Sequence, residues 1–232
     1  MNLSAIEREK IVKDSQVSLF EDDGKDALNY LIKKRGFSVD IIKKFGIGYI
    51  SLFENHFLSD KIIFPNVDQY GNLVSISTRG LGGDRIFWHE SYEKSYYLYG
   101  INNAKNNIVK LNSAIVVEGE SDTLSGHQFM FENTVGILGG QMSYYQLSIL
   151  CRYCQNIYLA FDNDEAGEKN TYKISKLYKD KKLKLLDINM YSIKFPDPEI
   201  LLSDANKTDL DLYLRTAGRN SFNDLIGNAK KV

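Results

Sequence analysis

Neither a surplus of one charge nor a membrane-sized apolar run marks this sequence. Its 29 Lys and Arg residues stand against 30 Asp and Glu, a formal net charge of -1, so no global basic field advertises a polyanionic partner. Any contact with nucleic acid must therefore rest on a local basic surface. No apolar run approaches the roughly 20 residues that a membrane span requires. The opening MNLSAIEREK is too polar for a signal peptide, and a cytoplasmic location is expected. Cysteine is scarce: Cys151 and Cys154 form a lone C-x-x-C. The histidines His56, His89 and His127 show no paired zinc-ligand spacing with these thiols or among themselves. A zinc site wants four ligands and a thioredoxin-like pair wants other surroundings, so the two cysteines read as thiols near the end of a helix. Internal repeats and low-complexity tracts are absent as well.

What is present is the composition of an ordinary globular protein, 43% hydrophobic and 25% charged over 232 residues. That length suits one large domain or two small ones, each with a real core. The rhythm of the chain changes near residue 112. Before it, IEREKIVKDSQVSLF and GKDALNYLIKKRG carry apolar residues at helical spacing, and Ser38 is placed to cap a short helix in SVDIIKKFG. KIIFPNVDQYGNLVSISTRG then alternates apolar and polar residues around Gly71-Asn72, a hairpin signature. From Ser113 onward AIVVE, TVGIL, NIYLAF and LDINMYSI are short apolar runs separated by helix-length segments. Such βαβα order predicts a parallel sheet flanked by helices, preceded by a smaller mixed α+β subdomain: residues 1–112 and 113–232.

Ligands of parallel sheets sit at the carboxyl ends of the strands, and there the sequence places acids. Glu118 closes AIVVEG, and Asp162 and Asp164 close NIYLAFDND. Residues i and i+2 of an extended stretch point the same way, so the two aspartates are expected to present both carboxylates to one site. Asp122 falls on the first turn of the next helix, and Asp209 and Asp211 repeat the i, i+2 spacing ahead of another. Oxygen ligands of this kind suit a hard divalent cation, Mg²⁺ or Mn²⁺. Taken singly, each acid is as well explained as a helix cap or loop residue. Three clusters in one α/β domain are harder to explain so, because their mutual repulsion costs stability unless cations bind.

VVEGESD followed by LAFDNDEAG resembles the paired signature of the Toprim fold, shared by bacterial primases, topoisomerases and some nucleases. Further segments resemble the RNA polymerase core of DnaG-type bacterial and phage primases. These are ALNYLIKKRGFSVDIIKKFGIGY, KIIFPNVDQYGNLVSISTRG, KSYYLYGINNA, LGGQMSYYQLSILCRYCQNI and DLDLYLRTAGRNSF, so the likeness runs from about residue 25 to the C-terminus. The chain departs from the family in lacking its zinc-binding and helicase regions. It also lacks the proline between Asp209 and Asp211, carries Glu120 in place of an apolar residue, and is shortened between Arg85 and Lys94.

The resemblance implies metal-dependent synthesis of short RNA primers from NTPs on a single-stranded DNA template. A Toprim nuclease or topoisomerase-type chemistry, and a non-catalytic nucleic-acid or replisome-binding module, are the rival readings. It implies Glu118, Asp162 and Asp164 as the catalytic acids, Glu118 as general base or metal ligand, with Asp122, Asp209 and Asp211 completing the metal set. Arg79 and Lys94, and with them Arg35, Arg85 and Arg152, are implied as contacts to nucleotide and template phosphates. Residues 1–112 would be the basic, template-facing side. A replicative helicase or a separate zinc-binding module is the implied partner, in a bacterial, phage or mobile-element setting. The tyrosines of SYEKSYYLYG near Lys94 fit base stacking, but packing is the favoured reading.

Overall fold

The structure is a computed structural model that describes residues 3–51, 58–81, 87–89, 93–179 and 188–232. It divides into two compact units, Met1–Tyr92 and Glu93–Val232.

In the first unit, helix α1 (Ala5–Ser18) starts on a reciprocal cap. The Glu7 N–H donates to Ser4 Oγ at 3.3 Å, and the Ser4 N–H donates to the Glu7 carboxylate at 2.8 Å. Helix α2 (Lys25–Asn29) runs on into a wider turn over Tyr30–Lys34. Helix α3 (Val39–Lys44) is capped by Ser38, as its sequence predicts: Oγ accepts from the Ile41 N–H at 3.3 Å. Strands β1 (Gly48–Ile50), β2 (Lys61–Val67), β3 (Leu73–Gly80) and β4 (Phe87–His89) form an antiparallel sheet in that order. The expected hairpin is β2–β3. Asp68 organises its turn by accepting from the N–H groups of Tyr70 at 2.8 Å and Asn72 at 2.9 Å, while Gly71 takes φ 94°, a value that disfavours residues with a Cβ. Ile11 and Val12 of α1 pack with Ile63 and Ile76 of the hairpin to form this unit's core.

The second unit contains α4 (Ile101–Leu111), β5 (Ser113–Val117), α5 (Glu120–Gln128), β6 (Thr134–Gly136), α6 (Tyr144–Leu150) and β7 (Asn156–Leu159). α7 (Glu165–Lys179), β8 (Asn189–Ser192), α8 (Leu210–Gly227) and β9 (Lys230–Lys231) follow. Its sheet has the order β6-β5-β7-β8-β9, parallel except for β9, which runs antiparallel to β8. Strand β5 alternates between two cores, as a strand covered on both faces must. Ala114 and Val116 join Ile101, Ala104 and Ile108 of α4, whereas Ile115 and Val117 join Leu210, Leu214 and Phe222 of α8.

The fold is therefore the parallel sheet between helices, with a smaller mixed unit before it, that the sequence predicts. Two particulars differ. The units part at Tyr92/Glu93, about twenty residues ahead of the change in rhythm, because α4 packs on β5 and β6. Strand β9 is too short and too polar to show in the sequence. It is held by Val232 N–H donating to Met190 O at 3.0 Å and by Lys231 Nζ donating to Asn189 Oδ1 at 2.8 Å. No helix among the described residues is long and apolar enough to cross a membrane.

Candidate acidic site at the strand ends

Strand β5 comes first in the chain among the parallel strands yet lies between β6 and β7. The connections leaving the ends of β5 and β7 therefore diverge to opposite sides, and a crevice opens where they part. Glu118 follows β5 directly, and Asp162 and Asp164 follow β7 by a few residues. Gly167, in the first turn of α7, brings that helix close to the end of β7. A Cβ there would stand 2.1 Å from the Asp162 carbonyl oxygen, so only glycine lets the helix start this close to the strand end.

The carboxylates here are poorly satisfied. Glu118 Oε1 is buried and makes no hydrogen bond. Burial, and next the negative charge of Asp162, push the Glu118 carboxyl up to about 7, against the pull of the Lys207 ammonium. Asp162 is 8% exposed, and burial raises its pKa too, although Lys207 opposes the shift. Lys207 Nζ bonds Asp162 Oδ2 and stands 3.5 Å from Asp164 Oδ2. The two aspartates thus meet one cation, though a turn in which the Asp164 N–H donates to Asp162 O at 2.9 Å, and not an extended stretch, brings them there. Asp164 also caps α7, its Oδ1 accepting from the Gly167 N–H at 2.8 Å.

The remaining acids have structural partners. Asp122 lies buried in the first turn of α5 and accepts from the Asp211 N–H at 3.1 Å. Burial, then Asp209 and Asp162, hold its carboxyl well above the ordinary range. Asp209 caps α8 by accepting from the Leu212 N–H at 2.7 Å. Asp211, 1% exposed, accepts from Ser125 Oγ at 2.5 Å and from Arg215 Nε and Nη2, both at 3.1 Å. Helices α5 and α8 are tied together through this network.

Among the basic candidates, Lys94 begins a short 3-10 turn whose carbonyls at Lys94 and Tyr97 accept from Gln146 Nε2 at 3.2 and 2.7 Å. Burial lowers its pKa, and the nearby Glu120 carboxylate offsets part of that. Arg152 is exposed in the turn after α6. In the first unit, the guanidinium of Arg79 lies 5.6 Å from the centre of the Tyr30 ring, and that of Arg35 lies 6.0 Å from the Phe37 ring centre. Arg85 lies outside the described residues. Tyr96 and Tyr145 contact one another at 4.3 Å between ring centres and stay largely exposed. Cys151 and Cys154 are free thiols, which burial pushes up to about 11 and about 12, so they are unreactive at neutral pH.

Sequence reasoning missed Lys207, Ser125 and Arg215. The i, i+4 spacing of Asp211 and Arg215 on one helix was a signal for the pair. An isolated lysine in a polar stretch offers none.

Among the described residues no three His, Cys, Asp or Glu side chains converge tightly enough to enclose a metal ion in this arrangement. The donor set nonetheless suits a hard cation: all ligands are carboxylates, one buried oxygen is unmet, and a cation already sits on Asp162 and Asp164.

Residues 115–202 match the Toprim-like family. The chain carries a Toprim-like domain. The match begins within strand β5 and runs through β8, which places Glu118, Asp122, Asp162 and Asp164 in the domain and Lys207, Asp209 and Asp211 just beyond it. The chain is 31% identical over 188 residues to the DNA primase of Chlamydia muridarum, covering 67% of this chain and 31% of that protein. It is 26% identical over 246 aligned positions to the DNA primase of Staphylococcus aureus, covering 90% and 39%. It thus spans 31% and 39% of these curated relatives' own length. A solved DnaG catalytic core superposes with a TM-score of 0.82 at 21% identity, over 97% of this chain and 79% of the other. A DnaG primase catalytic domain bound to single-stranded DNA gives 0.81 at 21%, over 97% and 78%. The Toprim-like domain therefore belongs to a chain with the DnaG catalytic-core fold.

Proposed function

We propose that this chain is a DNA primase catalytic core, which synthesises short RNA primers from NTPs on single-stranded DNA. The observation that carries the reading is the crevice at the switch point. There Glu118 keeps an unmet buried oxygen beside Asp162 and Asp164. A buried negative cluster of this kind is stable only with cations, and the NTP substrate brings its own negative charge. Glu118, Asp162 and Asp164 would hold Mg²⁺ or Mn²⁺, with Asp209 close enough to Asp162 and Asp122 to raise both carboxyls. The bound ion supplies charge neutralisation to the triphosphate and lowers the pKa of a hydroxyl that touches it.

The protein groups divide the remaining work. Glu118, pushed up to about 7, has the proton affinity of a general base near neutrality and would take the proton of the attacking 3′-hydroxyl on Oε1. Lys94 and Arg79 would hold phosphates, with Arg35, Arg85 and Arg152 extending the basic contacts along the template. Asp122 and Asp211 position the α5–α8 junction through their mutual network. Single-stranded DNA, the ligand of one solved relative, is the proposed template, and a replicative helicase or separate zinc-binding module the proposed partner. A cytoplasmic, bacterial or phage setting goes with that activity.

The test is de novo synthesis with labelled nucleotides on single-stranded templates in Mg²⁺ or Mn²⁺. Glu118→Gln and Asp162→Asn are each expected to lower product by roughly a thousandfold while circular dichroism stays unchanged. Undiminished product in both variants would reject the site. Metal-dependent DNA cutting without synthesis would replace this reading with a Toprim nuclease.

A further inference from the structure

Lys207 stands at the acidic site, and neither the acidic pattern nor the proposed chemistry explains it. It lies in the irregular stretch between the 3-10 turn Pro198–Leu201 and the start of α8. Its ammonium bonds Asp162 Oδ2 and reaches Asp164 Oδ2 at 3.5 Å. The Asp162 side chain is 7% exposed and that of Lys207 44%, so the anion is fixed in the protein while the cation stands at its mouth. The backbone beside it is anchored separately, since the Asn163 N–H donates to Thr208 O at 2.9 Å. A lysine side chain has four methylene groups and several rotatable bonds, so the ammonium can swing into water while that anchor stays in place. A divalent ion bound by Asp162 and Asp164 would sit on the same two carboxylates as the ammonium, and two cations held that close repel strongly.

We propose that Lys207 is a resident counter-cation, which neutralises Asp162 and Asp164 in the metal-free protein and exchanges with the divalent ion when the site loads. This rests on the metal-binding reading above. Exchange makes loading easier to reverse, because metal must displace an ion pair instead of filling an empty negative pocket. It also frees a cation at the mouth of the crevice at the moment the metal arrives.

The experiment measures Mn²⁺ binding to the full chain by electron paramagnetic resonance for wild type, Lys207→Met and Lys207→Arg. Lys207→Met is expected to bind Mn²⁺ about tenfold tighter, because the competing charge is gone, and Lys207→Arg to stay near wild type. In chelator, Lys207→Met should melt at a lower temperature than wild type, and Mn²⁺ should restore it. A second measurement needs no variant: Mn²⁺ should raise the reactivity of Lys207 toward an amine-acylating reagent, read by mass spectrometry against exposed Lys13. Wild type that binds Mn²⁺, with Lys207→Met no tighter and Lys207 labelling unchanged, overturns the exchange and leaves the metal site standing. If wild type and variant both fail to bind Mn²⁺, the metal reading falls, and the exchange with it.

Discussion

Two groups of acids in the second unit differ in how far the protein itself satisfies them. At the strand ends, Glu118 leaves a buried oxygen without a hydrogen bond, and Asp162 and Asp164 share one half-exposed lysine. At the α5–α8 junction, Asp209 caps a helix, Asp122 accepts a backbone N–H, and Asp211 is matched to Arg215 and Ser125. A carboxylate whose lone pairs are taken by fixed protein donors holds structure together. One whose lone pairs are open has capacity left for a ligand. Residue type and spacing do not separate the two groups; the donors around them do.

The comparison can be broken most forcefully at Asp211. Asp211→Ala removes a buried carboxylate that both Ser125 and Arg215 bond, and is expected to cost about 2 kcal/mol, read by urea unfolding. If Asp211→Ala left stability intact, the junction acids would belong with the open group. A smaller effect is expected at Asp209, where Asp209→Ala removes a helix cap worth about 1 kcal/mol, and Asp209→Ser should restore most of it.

The last effect is a slope. The folded Glu118 carboxyl is raised from the ordinary 4.5 to about 7, so the native state holds its proton more tightly than the unfolded chain does. Its contribution to stability is fully present below pH 4.5 and is lost as pH rises through about 7. Thermal melts in chelator should therefore show stability declining across that window, and Glu118→Gln should flatten the decline. An equal slope in both proteins would place the strain on other groups.

Much of this was legible in the sequence because apolar runs ending in acids are a local signal. AIVVE and NIYLAF fix both the strands and the residues at their ends, and the order of strand and helix gives the parallel sheet. The Ser38 cap and the hairpin around Gly71-Asn72 were legible for the same reason, being decided within a few residues. What depends on distant partners was not. Lys207 lies 45 positions from Asp162 and carries no period of its own. Asp209 and Asp211 share the spacing of Asp162 and Asp164, but the helix begins at Leu210, inside the pair, and sends the two side chains to different partners. The association of α4 with the second unit is likewise a matter of packing onto β5 and β6, which no local pattern records.

The short strand β9 has a consequence for how the protein behaves at high concentration. A parallel sheet ending at β8 would offer a row of open backbone groups to any neighbouring molecule, the template from which strand-to-strand polymers grow. Two residues pairing antiparallel occupy that row at Tyr191 and Ser192, and both are lysines, whose like charges repel a second copy approaching the same margin. The pair adds almost nothing to the core, yet it guards the solubility of the sheet on which the acidic crevice is built.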